Sequence, residues 1–268
     1  MRFTSIVCAA ALCGAMAAAT ALLACSSTAT PDAVDAAPPI SLGDAGFLDA
    51  PDLDGTKTAV DGGFAAPEGG VIRADRFVTQ VVSVTYGDCA GFGLPSMPAV
   101  VLGPPVGAGA SAGGLDVVSL GFKGEIVLGF GDNAIVDGPG VDFIVFENAF
   151  YVSGDPKLGI AKDLAEVSVS EDGITWTPFP CMPGASAPYG ACAGWHAVYS
   201  APGNGISPVD PAQAGGDLYD LAEVGLTHAR FVKIRDLGGT PCSSDPASKA
   251  TTDGFDLDAV AIVNAATP

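Results

Sequence analysis

Hydrophobic positions fall into two regimes along this chain. Near the start they form one continuous Ala-rich run, and from residue 77 onward they come in short bursts separated by Gly, Pro and Asp-Gly. Residues 77–86 (FVTQVVSVTY) are β-branched and alternating, 124–130 (GEIVLGF) and 142–146 (DFIVF) are short apolar runs, and 166–170 (EVSVS) alternates cleanly. Residues 195–199, 229–235 (ARFVKIR) and 259–264 (AVAIVN) follow in the same style. Such runs predict strands, and only 157–164 and 218–224 have the spacing for one short helix each. Asp172-Gly173 reads as a tight hairpin turn, with Trp176 packing across the pair and into the core. Seven or more short strands between turn signals predict an all-β sandwich or barrel, and the absence of an internal repeat argues against a propeller or solenoid.

The first regime reads as a targeting segment. Arg2 precedes an apolar run over 6–24 that lacks acidic residues and ends in Leu22-Leu23-Ala24-Cys25, a motif similar to the bacterial lipobox, in which the Cys is lipidated and becomes the first mature residue. The run is short for a bilayer span and lacks a basic stop-transfer cluster. Residues 1–24 are therefore expected to be a lipoprotein signal peptide, with Cys25 as the lipidation site. Acyl chains then hold the protein to a membrane. Neither Ser26 nor Ser27 is the acidic residue that marks inner-membrane retention, so the outer membrane or cell surface is the expected destination. From 25 to 70 the chain is rich in Ala, Pro and Gly, with eight acidic residues against Lys57 alone, which predicts a disordered, self-repelling tether. The β-sandwich domain is expected over 71–268.

Charge narrows the function. Eleven Lys+Arg against 30 Asp+Glu give a formal charge of −19, which excludes nucleic-acid binding, because phosphate neutralisation needs clustered cations. With 36 Gly, 21 Pro and only 15% charged residues, the composition also disfavours a helical domain. After the signal and Cys25 are set aside, Cys89, Cys181, Cys192 and Cys242 remain. In an oxidising compartment their spacing favours a Cys181–Cys192 loop and a Cys89–Cys242 tie. No CxxC or HxxxH is present to suggest zinc.

Two sets of motifs carry a resemblance. SEDGITWTPF (170–179) and ARFVKIRD (229–236) are similar, in order, to the SxDGxxWxxF hairpin and late strand of discoidin domains. GFGDNAIVDGPGVDFIVFENAF (129–150), GGDLYDLAEVG (215–225) and DGFDLDAVAIVN (253–264) resemble bacterial cell-surface proteins whose exported domains carry DFxVFENA and GFDLDAV. The resemblance implies a galactose-binding-like jelly roll. A Pro/Gly/Cys-rich insertion between Cys181 and Gly216 separates the two discoidin-like stretches, so discoidin binding loops are not carried over.

Candidate chemistry lies in acidic residues near strand ends. Asp142, Glu147, Asn148, Asp253, Asp256 and Asp258 offer the hard oxygen donors that calcium takes in sets of six to eight. In jelly rolls of this resemblance a structural calcium often sits where early and late strands adjoin, which brings Glu147 and Asn148 toward Asp256 or Asp258. Those two Asp share one face of the FDLD stretch. The alternative is that they solvate an outer face or satisfy turn backbone. Trp195, Tyr189 and Tyr199, in or after the insertion, are candidate glycan contacts, or else cap the disulfide-stapled loop. No catalytic residue is assigned: His196 and His228 lack a neighbouring nucleophile motif, with no GxSxG and no HExxH. The expectation is an exported, lipid-anchored surface module that binds a carbohydrate or envelope polymer. A structural or adhesive protein that engages another protein is the alternative, and a hydrolase ranks third.

Overall fold

The computed structural model describes Lys57, residues 63–184, 186–238, Ser243 and 253–268. Among them are strands and 3-10 turns and no α-helix, so the protein is all-β. Eight strands form its two larger sheets: β1 (Gln80–Thr85), β2 (Glu125–Gly129), β3 (Phe143–Phe146), β4 (Ala165–Ser170), β5 (Thr177–Pro178), β6 (Asp217–Tyr219), β7 (Phe231–Asp236) and β8 (Ala259–Ile262). One sheet runs β5-β4-β7-β2-β1 and the other β6-β3-β8, antiparallel throughout. After β2 the chain crosses to the second sheet for β3, returns for β4 and β5, crosses for β6, returns for β7 and crosses once more for β8. Two face-to-face sheets then share one core.

Register explains which residues face it. Val167, Ile234 and Ile126 align across β4, β7 and β2, as do Val169, Val232 and Leu128, and all six are fully buried. They meet Phe143, Val145, Tyr219, Val260 and Ile262 of the second sheet in a single cluster. Phe143 stacks on Tyr219 at 4.8 Å between ring centres, and Phe179 meets both rings edge-on. The period of two is clean in β7, where Val232 and Ile234 point inward while Phe231, Lys233 and Arg235 face out.

Strands β3 and β8 of the second sheet do not alternate, and their surroundings say why. Every residue of β3 and β8 is buried, because the far face of that sheet is covered too. Phe77, Ile144, Phe146, Val198, Ala214, Ala259 and Ala261 form a second apolar cluster there, packed against Phe64, Ile72 and Val209. Phe64 and Ile72 pair across a small hairpin, Gly63–Ala65 with Val71–Arg73, and the Phe64 ring packs edge-on against Phe77 at 5.3 Å. The first strand of this hairpin lies inside the span 25–70 expected to be tether, and the second begins the expected domain. At the entry to β3, buried Asp142 accepts hydrogen bonds from the Gly138 and Leu221 amides and from Asn264 Nδ2, which ties three loops together.

Several local expectations change. The two expected helices are 3-10 turns, Pro156–Leu158 and Leu221–Val224. Asp220 caps the second through the Ala222 amide, and Gly225 closes it in a left-handed conformation. The Asp172-Gly173 connection is wider than a two-residue turn, since Val169 pairs with Thr177. Asp172 organises it by accepting from the Ile174 and Thr175 amides and the Ser170 hydroxyl. Trp176 is not in the core: it lies half-buried on the outer face, with Lys233 Nζ 4.4 Å from its ring centre. Residues 195–199 make only an isolated bridge, Val198 with Gly215. The Cys181–Cys192 disulfide is formed and Cys89 is disulfide-bonded, while Cys242 and Cys25 lie outside the described residues. None of the described helical segments is long and apolar enough to cross a membrane.

Candidate functional site

An acidic cluster forms where the loop after β3 meets the chain entering β8. The apolar run of β3 ends at Phe146, and the next residue, Glu147, stays at only 1% exposure. One of its carboxylate oxygens, Oε2, has no hydrogen-bond partner. Burial pushes this carboxyl well above the ordinary range, and the charges of Asp256, Asp163 and Asp217 push it the same way. Asp256 is held on the short ladder that pairs Asp256–Leu257 with Val118–Ser119. Its carboxylate accepts from Ser119 Oγ and from Asn148 Nδ2, the latter at 3.2 Å. Asn148 Nδ2 also reaches the Gly114 carbonyl at 3.3 Å. Burial raises Asp256 to about 6, with Asp163 and Asp236 adding to the rise. Asp163 has an exposed side chain and is also raised to about 6, by partial enclosure and by Asp236 and Asp253.

The insertion meets this cluster at Asp217. Gly194 runs so close to β4 that a side chain there would strike the Asp163 carbonyl at 1.9 Å, and its φ of +89° also favours glycine. The Gly194 amide donates to Asp217 Oδ2 at 2.6 Å, while Asp217 Oδ1 lies 2.6 Å from Nδ1 of His196. Asp217 is nearly inaccessible, and burial raises its carboxyl against the opposing effect of His196. Holding Nδ1 fixes the imidazole and leaves Nε2 free on an exposed side chain. Beside it, the Trp195 ring lies 3.8 Å from the His196 ring and 5.5 Å, edge-on, from Tyr189. Trp195 Nε1 donates to the Cys192 carbonyl, and Lys162 Nζ sits 5.2 Å over Tyr189. The disulfide therefore anchors a platform of two aromatic rings, an oriented imidazole and an ammonium next to the carboxylates.

No family model matches the chain, and no curated protein matches it.

Of the residues expected to bind metal, the structure brings Glu147, Asn148 and Asp256 together and separates Asp258 from them. Asp258 accepts from the Val106 amide at 2.8 Å and faces Lys57 Nζ at 3.4 Å and the neighbouring Asp116, so the cation it meets comes from the protein itself. Of the three expected aromatic contacts, Tyr189 and Trp195 pair, whereas Tyr199 turns to pack against Gly215. Asp163 and Asp217 enter the site without any sequence signal that singled them out, and His196, set aside for want of a nucleophile motif, joins them through Asp217. Among the described residues, the set of three carboxylates with oxygens gathered within 4.8 Å is Asp137, Asp142 and Asp220. Asp142 is already committed to three donors there and Asp220 to its capping amide, and Asp137 is exposed. A separate cleft of about 330 Å³, lined by Phe64, Ile72, Pro105, Ile206 and Pro208, carries no ionisable side chain in its lining.

Glu147 keeps a buried carboxylate oxygen without a hydrogen-bond partner, while its oxygens are not gathered with those of Asp256 and Asp163 within 4.8 Å. An unpartnered buried carboxylate oxygen with further carboxylates around it is what a divalent ion neutralises, and Asn148 and nearby carbonyls offer neutral oxygens of the kind calcium accepts.

Proposed function

We propose that this protein is an exported, lipid-anchored surface module that recognises a carbohydrate or envelope polymer at the Tyr189–Trp195 platform, next to a calcium site in the Glu147 cluster. The observation that carries the reading is the position of Asp217, which holds His196 and Gly194 by its carboxylate and pairs in the sheet with Val145, two residues before Glu147. Aromatic faces stack on the apolar faces of sugar rings, and the fixed His196 Nε2 and Lys162 Nζ supply polar contacts to hydroxyl or acidic substituents. Glu147, Asp256 and Asp163 would hold the ion, with the exposed Asp163 side chain drawn inward. A bound ion would supply charge neutralisation there, stiffening the loops that carry the platform. The jelly-roll topology, the signal peptide and Cys25 lipidation belong to the same proposal, and the sandwich and the oxidised Cys181–Cys192 pair support them.

A glycan array probed with the oxidised mature chain, in calcium and again in EDTA, tests this reading. Binding that weakens in EDTA and is lost on Trp195→Ala supports it. Absence of binding in either buffer overturns it in favour of a protein-engaging envelope component.

A further inference from the structure

Lys57 is the only basic residue between Ser26 and Gly70, and the structure gives its ammonium a specific place. Nζ lies 2.7 Å from the Val100 carbonyl, 2.8 Å from Asp116 Oδ2 and 3.4 Å from Asp258 Oδ1. An ammonium has three donors and no acceptor, so three converging oxygens match its full capacity, although the Asp116 contact is an ion pair without hydrogen-bond alignment. The surroundings are preformed. The Val100 carbonyl is presented by the 3-10 turn Ala99–Val101, and the second oxygen of Asp258 is fixed by the Val106 amide at 2.8 Å. Side-chain exposure is 12% for Lys57 and 2% for Asp258, which places the pair largely out of water.

The electrostatics favour an occupied socket. Without the lysine, two carboxylates would face each other with one of them buried, an arrangement that costs several kcal/mol per uncompensated ion in general. Burial raises Asp258 to about 7, and the Lys57 charge opposes that rise. The socket is reached from a residue 201 positions away in sequence, and six positions after Lys57 the Gly63–Ala65 strand begins the hairpin that covers the second apolar cluster.

We propose that the Val100 carbonyl, Asp116 and Asp258 form an ammonium socket whose resident is Lys57, fastening the chain upstream of the sandwich to the domain and closing Asp258 to metal ions. The described chain is then tied to the domain as early as residue 57, ahead of the hairpin, and not only from residue 71. The proposal is independent of the glycan and calcium reading, since it concerns a different carboxylate cluster and needs no external ligand.

Lysine acetylation of the full chain, followed residue by residue by mass spectrometry, tests it. Lys57 is expected to react at least about tenfold more slowly than exposed Lys157, because labelling must await local opening. Asp258→Asn and Asp116→Asn should each abolish most of that protection. If Asp258→Asn fails to fold by circular dichroism, Asp116→Asn alone decides, since that side chain is partly exposed and tolerant of change. Added calcium should leave Lys57 protected. Labelling of Lys57 as fast as Lys157 in the unaltered protein, protection that survives Asp116→Asn, or deprotection by calcium would each overturn the socket.

Discussion

Nδ1 of His196 lies 2.6 Å from Oδ1 of Asp217, and this contact links the two halves of the candidate site. Asp217 is the first residue of β6, paired with Val145 in the middle of the buried sheet, so its carboxylate has a rigid base. His196 belongs to the insertion and is half in water. A rigid carboxylate orienting a solvent-facing imidazole transfers the order of the sheet to the loop that carries Trp195.

Trp195→Ala is expected to reduce glycan retention by at least about tenfold, the scale of losing an aromatic anchor. Tyr199→Ala is expected to leave it within about twofold, because that ring packs against Gly215 away from Tyr189 and Trp195. Surface plasmon resonance on whichever glycan the array returns measures both. Equal losses from the two substitutions would contradict the platform.

Removing the Cys181–Cys192 bridge as a double Ala variant should lower stability by about 2–3 kcal/mol, given the short loop of sequence separation 11 that it closes. Urea titration followed by far-UV circular dichroism reads the loss. Glycan binding should fall further than stability alone explains, since Tyr189 and Trp195 flank the bridge. Unchanged binding in folded protein would detach the platform from function.

Phe143→Ala should cost about 3–5 kcal/mol, because the ring is fully buried and sits between Tyr219 and Phe179 at the junction of the two sheets. A loss under about 1 kcal/mol would mean that the two sheets do not share this core.

Stability in EDTA should fall as pH rises from about 4 to about 7. Asp258 is raised to about 7, and Asp163 and Asp256 to about 6, with Glu147 raised as well. Between the ordinary carboxylate value of 3.8 and these values the folded protein keeps protons that the unfolded chain has released, so folding is progressively disfavoured until both states are ionised. Asp172, lowered to about 2 by the Thr175 and Ile174 amides, and Asp75, lowered by Arg73, act oppositely and remove stability as pH drops below about 4. Thermal melts from pH 3 to 8 should therefore peak on the acid side of neutrality. A steady gain in melting temperature up to pH 8 would contradict the acidic cluster as described.

The strands that sequence patterning locates best are those whose burial is one-sided or complete along their whole length. ARFVKIR alternates because β7 has one face on the core, and DFIVF and AVAIVN are continuous because both faces of their sheet are covered. Leu218–Val224 misleads because Tyr219 and Leu221 are both core residues, Tyr219 through strand β6 and Leu221 through a 3-10 turn, an i, i+2 relation that a one-turn helical reading absorbs. Trp176 misleads in another way, since its ring lies on the outer face under the ammonium of Lys233 and not in the core.

The site was half legible. Glu147 and Asp256 sit beside buried strands and stand out as acids in apolar company. Asp163 and Asp217 carry no such contrast, and their relation to Glu147 arises only when the loop after β3, the start of β4 and the insertion fold together. Asp258 was placed with the calcium donors because it shares a face with Asp256, whereas its partner arrives from Lys57, a residue no local pattern connects to it.

Calcium titration into the mature chain at pH 7.5, read by isothermal calorimetry and compared with Glu147→Gln, tests the account most directly. The account predicts saturable binding to the unaltered protein and its loss in Glu147→Gln, with that variant more stable in EDTA by about 1–3 kcal/mol because an unpartnered buried carboxylate has become a neutral amide. Absence of calcium binding, or binding unchanged by the substitution, would contradict it.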